Sequence, residues 1–188
     1  MNPIRESKVR AKLLHHGVRE LQPKALERLR ALPELRRAEE PELRATASTI
    51  QRKHCLAVVA KELGFASWEH ARRVLDGDPS EVDFGKLLYG DSWGAYLNHW
   101  FASYDDARAF LDALSPGLPG APPSPRRYLL AFKRHFFIVE RFYIEALGLD
   151  PDDPDWLAIG WDWARPRSHD ARRRLYAKVL AARRTVAA

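Results

Sequence analysis

Apolar residues recur at three- and four-residue steps along most of the chain, which is the spacing of amphipathic α-helices. In the segment from Glu6 to His16, this spacing places Val9, Leu13 and His16 on one stripe. A longer apolar segment runs from about Ser48 to Leu63 and ends at Gly64. Prolines follow the shorter segments between them, and the residue before a proline disfavours helical geometry. The pattern predicts a mainly α-helical protein.

Four residues have the side chain and the position of a helix N-cap. Serine, threonine and aspartate at this position accept a hydrogen bond from a backbone amide that the first turn leaves unpaired. The predicted caps are Ser67 before Trp68–Leu75, Ser103 before a helix through Leu114, Asp153 before Pro154, and Ser168 before the last helix. Each therefore predicts where one helix begins.

The longest apolar segment runs from Arg126 to Leu147 and ends at Gly148. Its apolar and aromatic residues recur at helical steps and form an unusually wide stripe, which predicts a central helix of about five turns. The fold class we expect is a compact helical bundle of about seven helices. It would contain this central long helix and, nearer the N-terminus, a helix-turn-helix-like hairpin.

Turn-forming residues suggest how the chain divides. The DGDPS cluster at residues 76–80 predicts a boundary between a basic N-terminal helical region, residues 1–76, and an aromatic-rich domain, residues 81–188. A shared core for both remains an alternative. Residues 115–125 contain five prolines and predict a loop. Periodicity does not settle residues 82–101, where a short strand, a packed loop and a helix are all open, although the apolar segment Tyr96–Phe101 predicts burial.

Charge is distributed unevenly along the 188 residues, which carry a net charge of +6. Residues 1–76 carry +6, residues 77–125 carry −5 and residues 126–188 carry +5. A basic protein of this kind is compatible with a polyanionic partner and also with internal neutralisation. A single cysteine, Cys55, excludes an internal disulfide, and the charged segment Met1–Lys12 lacks the apolar core of a signal peptide. We therefore expect a cytoplasmic protein that does not interact with a membrane.

The segment 48–75 is the part of the chain that most resembles a nucleic-acid-binding motif. Two predicted helices separated by Gly64 are spaced as in a helix-turn-helix, and exposed cations on such a hairpin bind phosphates. The candidate binding residues are Arg52, Lys53, His70, Arg72 and Arg73. His70, however, occupies a position that is usually apolar in this motif.

Within this segment, KELGF at Lys61–Phe65 followed by Ser67 and Trp68 resembles a small helical module. The module occurs in bacterial proteins without an assigned activity and at the start of some ankyrin-repeat and glyoxalase-related chains. The resemblance covers about a tenth of the chain. It implies two short packed helices with Phe65 and Trp68 in the hairpin core. It assigns no catalytic residue and no metal ligands to this chain.

Seven histidines and one cysteine do not have the spacing of a metal site, because no H-x-x-x-H, H-x-H or C-x-x-C pattern occurs. We therefore predict no metal and no cofactor. His135 lies on an apolar stripe of the predicted central helix, and His99 lies in another segment predicted to be buried. With Tyr143 they are candidates to line a small-molecule pocket or to act as a general base. A hydrogen-bonded structural histidine is the simpler interpretation.

Two further clusters have competing interpretations. Trp156, Trp161 and Trp163, near Arg165 and Arg167, have the composition of a surface that stacks on single-stranded nucleic acid or binds an acidic peptide, but such tryptophans more often belong to the core. The aspartates at 150, 152, 153 and 155 are numerous enough for a calcium loop. Prolines 151 and 154 and the lack of a D-x-D-x-D-G pattern favour a helix-capping turn instead.

No nucleophile elbow, phosphate-binding glycine loop or H-E-x-x-H motif occurs. The sequence therefore favours a non-enzymatic module that binds a protein partner or forms oligomers. A nucleic-acid-binding regulatory protein that uses the hairpin 48–75 is the first alternative. A small-molecule-binding protein or enzyme with a pocket around His99 and His135 is the second.

Overall fold

A computed structural model describes residues 2–89, 98–114 and 126–186. These residues are mainly helical and also form a small three-stranded sheet. The chain divides into two compact units. The N-terminal unit comprises Ile4–Arg73, and the C-terminal unit comprises the described residues from Val74 onward with the first residues of the chain.

The N-terminal unit is built from helices. They are α1 (Pro3–Arg19), α2 (Pro23–Arg28), α3 (Glu40–Thr46), α4 (Arg52–Glu62) and α5 (Trp68–Asp76), and the division between the two units falls within α5. Short 3₁₀ turns at Leu29–Ala31, Pro33–Leu35 and Ala47–Thr49 connect them. The core of this unit contains Leu14, Leu26, Leu29, Leu43, Cys55, Val58 and Phe65.

The C-terminal unit combines a sheet with helices. Its elements are β1 (His99–Phe101), α6 (Tyr104–Ala113), β2 (Arg127–Phe132), β3 (His135–Glu140), α7 (Arg141–Ala146), α8 (Pro154–Ile159) and α9 (His169–Val186). The strand order is β1-β3-β2, and both pairings are antiparallel. Together with the N-terminal unit, the described residues form nine α-helices, against the seven or so that the sequence predicts.

The prediction of a long central helix over Arg126–Leu147 is wrong. This segment forms the hairpin β2–β3 and then the short helix α7. Lys133 and Arg134 form the turn, where Lys133 has φ 52°, a left-handed conformation that breaks any helix. Strands that are buried on both faces carry nearly continuous apolar residues instead of an alternating pattern. Such a segment also fits the spacing of a helix, so periodicity could not distinguish the two.

The two faces of the sheet pack against different elements. On one face, Leu129 and Ile138 join a cluster with Ala107 and Leu111 of α6. On the other face, the ring of Phe137 lies 5.6 Å from that of Tyr143 in α7, and Tyr128 contacts Trp156 of α8 at 4.8 Å between ring centroids. The outer edge of β2 is also hydrogen-bonded, because the Leu129 amide donates to the Trp161 carbonyl at 2.8 Å.

The four predicted N-caps are confirmed. The cap oxygens of Ser67, Ser103, Asp153 and Ser168 accept hydrogen bonds of 3.0–3.2 Å from backbone amides in the first turns of α5, α6, α8 and α9. Other predicted helix starts shift. The helix predicted to begin near Ser48 begins at Arg52, because Gln51 and His54 form its capping box. Helix α1 continues through Gly17 to Arg19, beyond its predicted end.

The segment predicted to be buried, Tyr96–Phe101, is described only from Asn98, and residues 90–97 lie outside the described residues. Its end forms the edge strand β1, which is one of the alternatives that the sequence leaves open. His99 and Trp100 are exposed, so the prediction of burial is wrong for them. The predicted loop 115–125 also lies outside the described residues.

Candidate functional site

Helix α1 buries a different face from the one that its sequence predicts. Val9 is 39% exposed and Leu13 is 61% exposed, and His16 is also exposed. The buried positions are Ser7, Ala11, Leu14 and Val18, which follow one another at helical steps of four, three and four residues. The predicted core stripe is therefore a surface stripe, and a different set of residues forms the buried face of this helix.

The exposed side of α1 carries a row of basic residues. Arg5, Lys8, Lys12, His16 and Arg19 are all exposed. At 100° per residue, they fall within about 80° of arc and extend along about 21 Å of the helix axis. Lys8, Lys12 and Arg19 form no ion pair with any other residue that the structure describes, although several neighbouring cations of the unit do.

A second basic segment lies beside this row. The His15 Nε2 atom is 3.1 Å from the carbonyl oxygen of Ile50, a hydrogen-bonding contact that places the connection before α4 against α1. Arg52 and Lys53 open α4 two and three residues later, and both are exposed. We call the set Arg5, Lys8, Lys12, His16, Arg19, Arg52 and Lys53 the α1 basic surface.

The composition of the N-terminal unit agrees with this arrangement. Residues Ile4–Arg73 contain 16 lysines and arginines against nine glutamates and no aspartate, which gives this unit a net charge of +7. Several glutamates are already paired, for example Glu62 with Arg28 at 2.7 Å and Glu40 with Arg44 at 2.8 Å. The excess positive charge therefore resides on exposed side chains.

Of the residues predicted to bind nucleic acid, Arg52 and Lys53 belong to the α1 basic surface. His70 does not fit this role, because it is 7% exposed and its Nδ1 accepts the Ala66 amide at 3.1 Å. Arg72 is exposed but paired with Glu69 at 2.7 Å, and hydrogen bonding from Arg72 lowers the pKa of Glu69. Arg73 is exposed on α5.

The predicted pocket residues are not brought together. In the pairing of β1 with β3, His99 lies opposite Ile138, and His135 is three residues from Ile138 along β3. Side chains alternate between the faces of a strand, so His99 and His135 lie on opposite faces of the sheet. His135 is exposed at the hairpin rather than buried on a helix. Tyr143 is buried, and its hydroxyl donates to the Leu88 carbonyl at 2.9 Å, which is a structural role.

The aromatic and acidic clusters near residues 150–163 are structural. Trp156, Trp161 and Trp163 are each at most 5% exposed. The Asp155 carboxylate receives Arg174 Nη2 at 2.6 Å and Lys178 Nζ at 2.9 Å. Burial acts to raise the pKa of Asp155, but these hydrogen bonds outweigh it and lower the pKa below its usual range. These ion pairs connect α8 to α9.

One buried polar cluster was missed by sequence reasoning. The Tyr104 hydroxyl donates to Asp162 Oδ2 at 2.6 Å, and the Arg165 amide donates to Asp162 Oδ1 at 2.9 Å. The guanidinium of Arg165 lies 3.9 Å from the centre of the Tyr104 ring. Burial raises the pKa of Asp162, which is 2% exposed. Both carboxylate oxygens are used, so the cluster joins α6 to the segment after α8.

Across the described parts of the chain, no three His, Cys, Asp or Glu side chains converge as a metal site would require. No helix among the described residues is long and apolar enough to cross a membrane. No protein-family model matches the chain, and neither a curated protein nor a solved structure shows significant similarity to it. The resemblance of Ala57–Leu75 to a bacterial helical module therefore stays a prediction.

The α1 basic surface was also missed, although its signal is present in the sequence. Basic residues at positions 5, 8, 12, 16 and 19 follow the same three- and four-residue steps that identify an apolar helix face. This period in cations, and not only in apolar residues, predicts a basic stripe on the helix.

Proposed function

We propose that the chain is a non-enzymatic binding module and that its N-terminal unit binds the phosphate backbone of nucleic acid. The observation that carries this proposal is the α1 basic surface. Successive members of its α1 row are three or four residues apart, which separates them by about 5–6 Å on a helix. A line of exposed basic side chains at this spacing complements a linear polyanion.

Phosphate contacts of this kind are independent of base sequence. Each neutralised phosphate releases condensed counterions, so the affinity falls steeply as the salt concentration rises. The α1 basic surface is mainly a row of exposed side chains along one helix, and His70, in the second helix of the segment 48–75, is too buried to reach a base edge. We therefore propose general affinity for nucleic acid rather than recognition of one sequence.

The test is a fluorescence anisotropy titration of the full chain with a short DNA duplex at about 50 and about 200 mM salt. The variant carries Lys8→Glu, Lys12→Glu and Arg19→Glu. We expect its affinity to fall at least about 10-fold and the slope of log affinity against log salt to decrease by about two to three, since each phosphate contact contributes about 0.9.

A matched control carries Arg36→Glu, Arg37→Glu and Lys61→Glu. These three residues are also exposed and form no ion pair with another described residue, and the control changes the net charge equally. It should keep a duplex affinity within about threefold of wild type, because general charge acts weakly at a distance in salt. Equal losses in both triple variants would reject the α1 basic surface as the binding site.

A protein-interaction or oligomerising module is the second candidate. Exposed apolar side chains favour it, since Phe142 is 63% exposed and Leu157 is 58% exposed. Large apolar side chains at a surface are typical of interfaces when they are contiguous. Sedimentation velocity of the wild type against Phe142→Ser with Leu157→Ser tests this candidate. A concentration-dependent oligomer that the double variant abolishes would support it, and a monomer at all concentrations would reject it.

A further inference from the structure

A second surface, in the C-terminal unit, combines aromatic rings with exposed cations. Its centre is Trp100 in the edge strand β1, which is 43% exposed. The Trp100 ring stacks on the buried ring of Phe137, with centroids 4.7 Å apart and planes 18° apart. Phe132 and Tyr89 contact Trp100 edge-on, at 6.0 and 5.5 Å between centroids. Aromatic neighbours therefore hold the indole in place while much of it stays exposed.

Cations surround this ring cluster. Lys133 and Arg134 form the turn of the β2–β3 hairpin and are exposed, and the Lys133 Nζ atom lies 5.7 Å from the centre of the Phe132 ring. The Lys133 amide donates to the Gly85 carbonyl at 2.7 Å, which brings exposed Lys86 beside the turn. Lys86, Lys133 and Arg134 form no ion pair with another described residue.

Asp83 is the acidic residue nearest to Lys86 in the described sequence. Asp83 uses its Oδ1 atom to accept the Gly85 amide at 2.8 Å, within its own turn. His135 lies opposite Phe132 in the strand pairing and thus on the same sheet face as Trp100, so it adds a further basic group. The surface is therefore positively charged around an exposed aromatic centre.

We propose that this aromatic–basic platform, consisting of Tyr89, Trp100, Phe132, Lys86, Lys133 and Arg134, binds single-stranded nucleic acid. An unpaired base stacks on Trp100, and the adjacent phosphates lie against the hairpin cations. Stacking on an aromatic face tolerates every base, because every base has a π-face. A duplex fits poorly, since its bases are already stacked on one another.

The platform is a site additional to the α1 basic surface, and its chemistry differs from that surface. The α1 basic surface recognises phosphate alone, whereas the platform requires an accessible base. Three probes separate these contributions. They are an oligo(dT) of about 12 nucleotides, an abasic strand of the same length that retains the phosphates, and a duplex of matched length.

The decisive variant of the full chain is Trp100→Ala. We expect its affinity for oligo(dT) to fall about 10-fold, the effect of losing about one base stack, while its affinity for the abasic strand and the duplex stays unchanged. Trp100→Phe should keep most of the affinity for oligo(dT).

Lys133→Ala with Arg134→Ala tests the cations. This variant should bind both oligo(dT) and the abasic strand more weakly, with a smaller dependence on salt. Tryptophan fluorescence gives a measurement that does not depend on the alanine variant folding. Oligo(dT) should quench the emission of the wild type, and Trp100→Phe should reduce the amplitude of that quenching while still binding.

Wild-type affinity for oligo(dT) in a folded Trp100→Ala protein, or the absence of quenching in the wild type, would overturn the platform. If Trp100→Ala lost equal affinity for oligo(dT) and for the abasic strand, the platform would also be overturned, since base stacking would then contribute nothing. The α1 triple variant should weaken binding of all three probes. If it weakens none while Trp100→Ala acts as expected, the proposed function fails and the platform stands.

Discussion

The two units bury their apolar residues in different ways. In the N-terminal unit, α1 buries one face, which includes Ala11, Leu14 and Val18, and leaves the other face exposed. In the C-terminal unit, the hairpin β2–β3 buries both faces, so that Leu129 and Leu130, consecutive in sequence, are each fully buried. The spacing of apolar residues distinguishes a helix from a strand only when one side of the element remains polar.

The units also differ in how they use positive charge. In the N-terminal unit, Lys8, Lys12 and Arg19 point to solvent without an ion pair to another described residue. In the C-terminal unit, Arg174 and Lys178 are paired with Asp155, and Arg172 is buried with its Nη1 bonded to the carbonyls of Trp163 and Ala164. Cations of the N-terminal unit thus remain exposed at its surface, whereas several cations of the C-terminal unit form contacts within the fold.

The largest effect should come from removing a ring at the centre of the two-sided sheet. Phe137 is fully buried and contacts the rings of Trp100, Tyr89 and Tyr143. Phe137→Ala leaves a cavity and should lower the free energy of unfolding by about 3–5 kcal/mol. Chemical denaturation measures this loss. A loss below about 1 kcal/mol would contradict burial of the face of β3 that carries Phe137.

The sequence predicts the helices of this protein better than its sheet, and the reasons lie in particular residues. Ser67, Ser103, Asp153 and Ser168 identify helix starts because a cap acts through local hydrogen bonds. The hairpin could not be separated from a helix, because its apolar residues fill both the three- and four-residue steps and the alternate positions. Its turn also lacks the usual Asn-Gly or Gly signal and uses Lys133 with a positive φ instead.

The candidate sites depend on long-range placement, which explains why the sequence identified them only in part. Arg52 and Lys53 were predicted to bind nucleic acid, and the contact of His15 with Ile50 shows why they belong beside α1. The platform joins strand β1 to the β2–β3 turn, about 30 residues later, through strand pairing. For Trp156, Trp161 and Trp163 the sequence left stacking on bases and burial in the core as alternatives, and all three are buried.

A pair of neighbouring leucines tests one-sided burial in the N-terminal unit. Leu14 is 2% exposed and Leu13 is 61% exposed. Leu14→Ala should lower the free energy of unfolding by about 3 kcal/mol, and Leu13→Ala should change it by less than about 0.5 kcal/mol. Urea denaturation of the two variants measures the difference. Similar losses would show that α1 does not separate a buried face from an exposed one.

Charge pairing in the C-terminal unit predicts a pH-dependent effect. Asp155→Asn removes the negative charge and one of the two oxygens that accept from Arg174 and Lys178. It should lower the free energy of unfolding by about 1–2 kcal/mol at neutral pH. The cations are partly exposed and regain water, which limits the loss. Because the native pKa of Asp155 is lowered, its contribution is present above the ordinary pKa and is lost as the pH falls through the native value.

The difference in free energy of unfolding between wild type and Asp155→Asn should therefore have its full size at neutral pH. It should disappear below about pH 4. Denaturation midpoints across this range measure it. Asp162→Asn is a useful control, because burial raises the pKa of Asp162. Ionisation of this carboxyl is therefore less favourable in the folded protein than in the unfolded chain, so stability relative to Asp162→Asn should decrease as the pH rises through the native pKa. The same trend in both variants would contradict the difference between the two carboxylates.

The smallest effects should come from one backbone position in each unit. Leu21, which follows α1, has φ 53°, and Lys133 in the hairpin turn has φ 52°. Glycine adopts this left-handed conformation without the steric cost that a Cβ atom brings. Leu21→Gly and Lys133→Gly should each raise the free energy of unfolding by up to about 1 kcal/mol.

Only Lys133→Gly should weaken binding of oligo(dT), since Leu21 belongs to neither binding surface. A variant at Lys133 that gains stability and loses binding would show that the lysine is kept for its charge. Unchanged binding would remove Lys133 from the platform.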